Sequence, residues 1–152
     1  MKPAHVLLLF VLVLTGLTGC KKDDNGTPQP NASAQADLLV ASNWQLSRVT
    51  TVDGQTIGPT RLDAVTRTLS DMNMVFRADN TVRAVDRNTK QILNGGTWLL
   101  ATDNQSIDVV VTGFSGNFPI VQLSRTQLSL RQNQKAKVDG TLTDIILEFV
   151  AL

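Results

Sequence analysis

The chain has 152 residues, with 14 Lys plus Arg against 13 Asp plus Glu, and a single histidine. So even a charge balance excludes nucleic acid and electrostatic docking on acidic lipid as driving interactions. That histidine is His5, at the extreme N-terminal end, and there is no tyrosine, so the body of the chain lacks the commonest general base and metal ligand.

Lys2 and His5 open the chain, and Val6 to Leu14 is unbroken apolar sequence. The run is shorter than the about 20 residues a bilayer-spanning helix needs. With the small residues Thr18 and Gly19 behind it, it has the length and flanks of a secretory signal. Leu17-Thr18-Gly19-Cys20 resembles the lipobox of bacterial lipoproteins, and Cys20 is the only cysteine. The resemblance implies cleavage after Gly19, diacylglycerol on the Cys20 sulfur and acylation of the new amine. Two or more acyl chains anchor stably where one holds only marginally. With Cys20 acylated no disulfide is possible, so burial must supply the stability. Lys21-Lys22-Asp23-Asp24 is either a solvated spacer or, by resemblance, the charged tag of surface-exposed lipoproteins of Bacteroidota. The expected location is the outer membrane, through lipid, with exposure at the cell surface if that tag operates. Asn25 to Ala36 is rich in Asn, Gly, Pro, Gln, Ser and Ala and reads as a disordered tether. The expected division is therefore 1–19 signal, 20–36 acylated tether and 37–152 folded domain.

From Asp37 onward short apolar runs alternate with turn residues. Trp44 to Val49 reads as a first strand, stopped at Asp53-Gly54 and Gly58-Pro59. Leu62, Val65 and Leu69 stand at helical spacing within Arg61 to Asp71, which predicts a short helix. Met72, Met74 and Phe76 alternate with Asn73, Val75 and Arg77, and Asp79-Asn80 turns the chain into Thr81 to Val85. Asn94-Gly95-Gly96 breaks the pattern before Thr97 to Ala101, and Asp103-Asn104 leads to Ile107 to Val111. Gly113 to Asn117 reads as a loop before Phe118 to Leu123. Gln127 to Arg131 follows, then Asp139-Gly140 and a final strand with Ile145, Leu147 and Phe149 on one face. The sum is all-β: about eight strands in an antiparallel up-and-down barrel, with one short helix after the first strand.

Residues 43 to 152 resemble the lipocalin-like domains of many Bacteroidota lipoproteins. The resemblance rests on Trp44 with Leu46, Phe76-Arg77-Ala78-Asp79-Asn80-Thr81, Gly96-Thr97-Trp98 with Leu100, and Ile120 to Leu130. The last block fits an Ile-x-x-Leu-Ser-x-x-x-Leu-x-Leu pattern. It implies a lipocalin-like β-barrel. Ser42-Asn43-Trp44 lacks the glycine that lipocalins proper carry before this tryptophan, and neither their Thr-Asp-Tyr segment nor a disulfide pair is present.

A barrel of this size either fills with side chains or holds one small ligand. Inward residues that would line such a cavity are Trp44, Met74, Phe76, Trp98, Leu100, Val109 and Phe149. For the two tryptophans the favoured reading is instead that they close one end of the barrel as core aromatics. Arg48 shares a strand face with Trp44 and Leu46; inside, it would need an acceptor or an anion, and at the strand's open end it would sit in water. Acidic residues fit no calcium-loop spacing, no Gly-x-Ser-x-Gly occurs, and no Gly-rich phosphate loop opens a helix. The expectation is a monomeric, non-enzymatic binding protein without cofactor or metal, taking a small hydrophobic molecule. The alternative is a protein-interaction or inhibitor module working through its rim, where Phe114 would be the anchor.

The anchor is directly testable. Cys20→Ser removes the thiol that lipidation needs, and each buried methylene is worth about 0.8 kcal/mol. The variant is expected to incorporate no palmitate analogue and to leave the membrane fraction. Labelling of the serine form refutes the lipobox reading.

Overall fold

The computed structural model describes residues 32–152, so Cys20 and the signal segment lie outside it. Eight strands follow one another around a closed barrel, each antiparallel to its neighbours: β1 (Asn43–Thr51), β2 (Met72–Phe76), β3 (Thr81–Asp86), β4 (Ile92–Leu100), β5 (Ser106–Val111), β6 (Phe114–Leu123), β7 (Gln127–Val138) and β8 (Thr141–Ala151). β8 returns to β1, with Leu46 opposite Phe149 and Val49 opposite Leu147, and closes the ring. Inward positions alternate with outward ones, as in β5, where Ile107, Val109 and Val111 are buried while Asp108 and Val110 are exposed. The β7–β8 turn, Asp139-Gly140, has φ of 51° and 82°, the left-handed pair that a two-residue hairpin demands.

Helix α1 (Ala32–Val40) begins inside the stretch expected to be a tether. Ala34 and Ala36 are strong helix formers, and Leu39 is fully buried against the lower end of the barrel. The indole N–H of Trp44 donates to the Leu39 carbonyl at 2.8 Å, fixing the helix there. The one helix that was expected, after the first strand, also differs in detail. The β1–β2 connection contains a 3₁₀ turn at Pro59–Arg61, helix α2 (Ala64–Thr68) and another 3₁₀ turn at Leu69–Asp71. Asp63 caps α2 by accepting the Thr66 N–H at 2.9 Å, which starts the helix later than the periodicity suggested. Leu62, Thr66 and Leu69 face inward, whereas Val65 is 53% exposed.

Three further expectations are corrected. Gly113 to Asn117 is not a loop: the turn is Thr112-Gly113 and β6 begins at Phe114. Arg48 does not share the inner face of Trp44 and Leu46. The β1–β8 register shifts between Leu46 and Arg48, and this bulge turns Arg48 outward, where it pairs with Glu148 at 2.7 Å. Asn94-Gly95-Gly96 does not break the chain but runs through the middle of β4. The reason is close approach: a Cβ on Gly96 would collide with the Val110 carbonyl of β5.

The two glycines therefore separate cleanly. Gly96→Ala is expected to lose about 2 kcal/mol or more in urea unfolding, since backbone must move to admit the methyl group. Gly95→Ala, whose Cβ would meet only the Val82 carbonyl at 3.5 Å, is expected to be neutral or slightly stabilising.

Candidate functional site at the upper end of the barrel

The lower end is shut. Trp44 is wholly buried under α1, and Trp98 donates from its indole N–H to the Arg77 carbonyl at 3.0 Å. Phe76 meets Trp98 edge to face, with centroids 5.6 Å apart at 83°, the arrangement the ring quadrupoles favour. Leu100 lies half-buried beside a surface groove between α1 and β4. Of the residues expected to line a cavity, Trp44 and Trp98 thus close the barrel instead.

The middle is filled. Met74, Phe76, Val109 and Phe149 do converge, together with Phe114, Leu128 and Leu130, but the void among them is about 10 Å³. That is room for one water-sized sphere at most. At this level of the barrel the side chains of opposite walls meet each other.

Open volume lies at the upper end, beneath and beside α2. An apolar pocket of about 200 Å³ is lined by Val65, Leu69, Met72, Met74, Val111 and Phe114, among others. Sequence reasoning singled out Met74 for a site, but not Val65, Leu69 or Val111. Phe114, expected as a candidate rim anchor, is half-buried here and stacks on Phe118 with centroids 4.8 Å apart. A second recess of about 470 Å³ shares Val65, Gly113 and Phe114 and adds polar groups from Thr66, Gln132, Lys135 and Lys137.

No protein-family model and no curated protein matches this chain. Among solved structures it is similar to a lipocalin-like protein from Bacteroides uniformis ATCC 8492, at 15% identity and TM-score 0.47, over 74% of this chain and 98% of that one. It is also similar to a DUF4847 family protein from Bacteroides vulgatus ATCC 8482, at 12% identity and TM-score 0.46, over 75% of this chain and 94% of that one. Neither likeness assigns a residue. Among the described residues no group of His, Cys, Asp or Glu is arranged to hold a metal ion.

The roof of the site hangs on Asp63. Its carboxylate accepts the Thr66 N–H at 2.9 Å, the Thr66 hydroxyl at 3.1 Å and the Lys137 N–H at 2.7 Å. Desolvation by burial pushes its pKa up, but the hydrogen bonds from Thr66 and Lys137 together outweigh this and hold it below the usual carboxylate value. A depressed folded pKa means stability that is present above the unfolded pKa and lost as pH falls through the folded one. Asp63→Ala should cost about 1 kcal/mol at pH 7 and speed amide exchange at Thr66 and Lys137. The difference in melting temperature between wild type and variant should shrink on acidification from about pH 4 downward. A difference that persists undiminished into strong acid contradicts this role.

Proposed function

We propose that the protein is a lipid-anchored, lipocalin-like binding protein that takes a small apolar molecule at the upper end of its barrel. The observation that carries this reading is the apolar pocket of about 200 Å³ under α2, opening above a filled interior. Its methionines, Met72 and Met74, adapt to irregular apolar shapes. The volume is below the roughly 300–1,000 Å³ of a site for drug-sized molecules, so a short alkyl chain or a single ring fits better than a large ligand. Acylation at Cys20 would hold the barrel at a membrane, where such molecules partition. The alternative, a protein-interaction or inhibitor module, drew its support from an exposed Phe114; stacked on Phe118 and half-buried, that ring no longer favours it.

Binding is read with N-phenyl-1-naphthylamine, a neutral dye that brightens in apolar surroundings. The wild-type protein is expected to enhance its emission saturably. Val65→Asp puts a charge over the pocket at an exposed position and should weaken binding at least tenfold while changing stability by less than about 0.5 kcal/mol. Leu99→Asp, on the exposed outer wall, should leave binding intact. A wild-type protein that does not enhance the dye ends this reading.

A further inference from the structure

The barrel wall has a window. β6 and β7 pair only at Leu123–Leu128, Gln122–Ser129 and Ile120–Leu130. The next residue up β6 is Pro119, which has no N–H. Ile120 donates its N–H to Gln105, on the β5 side, so by strand alternation the donor missing at Pro119 is one that would have faced β7. Above that point β7 pairs with β8, while its other edge is taken by the β1–β2 connection. Leu62 bridges to Val138, and Asp63 donates its N–H to the Lys137 carbonyl at 3.0 Å. The recess of about 470 Å³ is what remains between these two seams.

Its chemistry is amphipathic. Phe114, Phe118 and Val65 supply apolar surface. Lys135 stands on the stretch of β7 where the β7–β8 register shifts, and it reaches across the window to donate from Nζ to the Ser115 carbonyl at 3.0 Å. Gly116 lies directly against it: a Cβ there would meet the Lys135 ammonium, the mobile end of a flexible side chain. The three ion pairs among the described residues all use arginine: Arg48–Glu148, Arg61–Asp139 and Arg131–Asp144. Asp63, the one carboxylate lining the recess, is already engaged by Thr66 and the Lys137 N–H. Lys135 therefore brings a positive charge with no carboxylate to balance it. Gln132 also lines the recess, is only 8% exposed, and leaves its amide Oε1 without a hydrogen-bond partner. A buried unpartnered amide is costly, and a half-turn exchanges its acceptor for its donor.

We propose that this window is the head-group site of the ligand bound at the upper end, and that the ligand is an amphipathic anion: an aliphatic chain ending in a carboxylate or a phosphate monoester. The anion sits on Lys135 Nζ and the Gln132 amide, and the chain passes Phe114 into the apolar pocket. This rests on the reading given under Proposed function, and adds to it the charge of the ligand and its point of attachment.

The test uses the full chain in phosphatidylcholine vesicles with two photoreactive probes, a diazirine-bearing dodecanoic acid and the alcohol of the same chain. Labelled peptides are located by mass spectrometry. The acid is expected to label the α2 and β6 segments about tenfold more than the alcohol, the scale of one charge-assisted hydrogen bond. Lys135→Gln, which keeps a donor for Ser115, should bring acid labelling down to the alcohol's level and leave the alcohol unchanged; Lys135→Arg should retain the preference. Displacement by dodecanoate or by dodecyl phosphate identifies the head group, and failure of both overturns the proposal. Equal labelling by acid and alcohol, or an acid signal indifferent to Lys135→Gln, overturns the anionic site while the apolar pocket stands. Absence of labelling by either probe removes both.

Discussion

Closure of the barrel is the constraint on which everything else depends. Eight antiparallel strands make a ring just wide enough for inward side chains to meet at its centre. Once Leu46, Leu147, Phe149 and their counterparts on the other walls are in place, the middle admits no more than about 10 Å³. The two ends then take different parts. Trp44, Trp98 and Phe76 are too large for the ring to leave open below, and α1 seals them with the Leu39–Trp44 hydrogen bond. An apolar pocket survives above, where Met74 and Val111 end the packed layers and a connecting segment, rather than a strand, forms the roof.

The wall is also where regularity is given up. A bulge in β1 turns Arg48 from the core to Glu148, which avoids the burial of an unpaired guanidinium that strict alternation would have required. Pro119 ends one ladder, and the segment Leu62-Asp63 takes over part of the vacated β7 edge. An unpaired edge inside a barrel wall must satisfy its polar groups by other means. Here Lys135 and Asp63 do so with side chains, leaving between them a recess rather than a continuous sheet.

Much of this was legible in the residues. Ile145, Leu147 and Phe149 alternate without interruption, Asp139-Gly140 is a turn by its own backbone preference, and the tryptophans were open to being barrel closers. What was not legible depends on partners remote in the chain. Gly95-Gly96 reads as a break unless it is known that the β5 backbone passes close to Gly96. Arg48 was expected in water or inside, and it is exposed; only its strand face was misassigned, because a bulge changes the period without changing the composition. The start of α1 was hidden because Leu39 is held by a barrel that forms later in the sequence. The upper site was missed for the same kind of reason. Val65 appeared as a member of an inward helical stripe, and Lys135 had no motif around it; only the missing pairing of β6 with β7 brings them to one recess.

The way the roof is fastened sets an order of events for folding. Asp63 is bonded to Lys137, 74 residues further along the chain, and Arg61 to Asp139, 78 residues on. The β1–β2 connection therefore cannot settle until the seventh strand is in position, whereas the β2–β3, β4–β5 and β5–β6 hairpins need only their immediate neighbours. Contacts of such long range form slowly, so during synthesis the roof waits for the seventh strand, and only the closure of β8 onto β1, of longer range still, comes after it. Until then the apolar floor made by Met74, Val111 and Phe114 faces solvent, a surface that invites association with other unfinished chains.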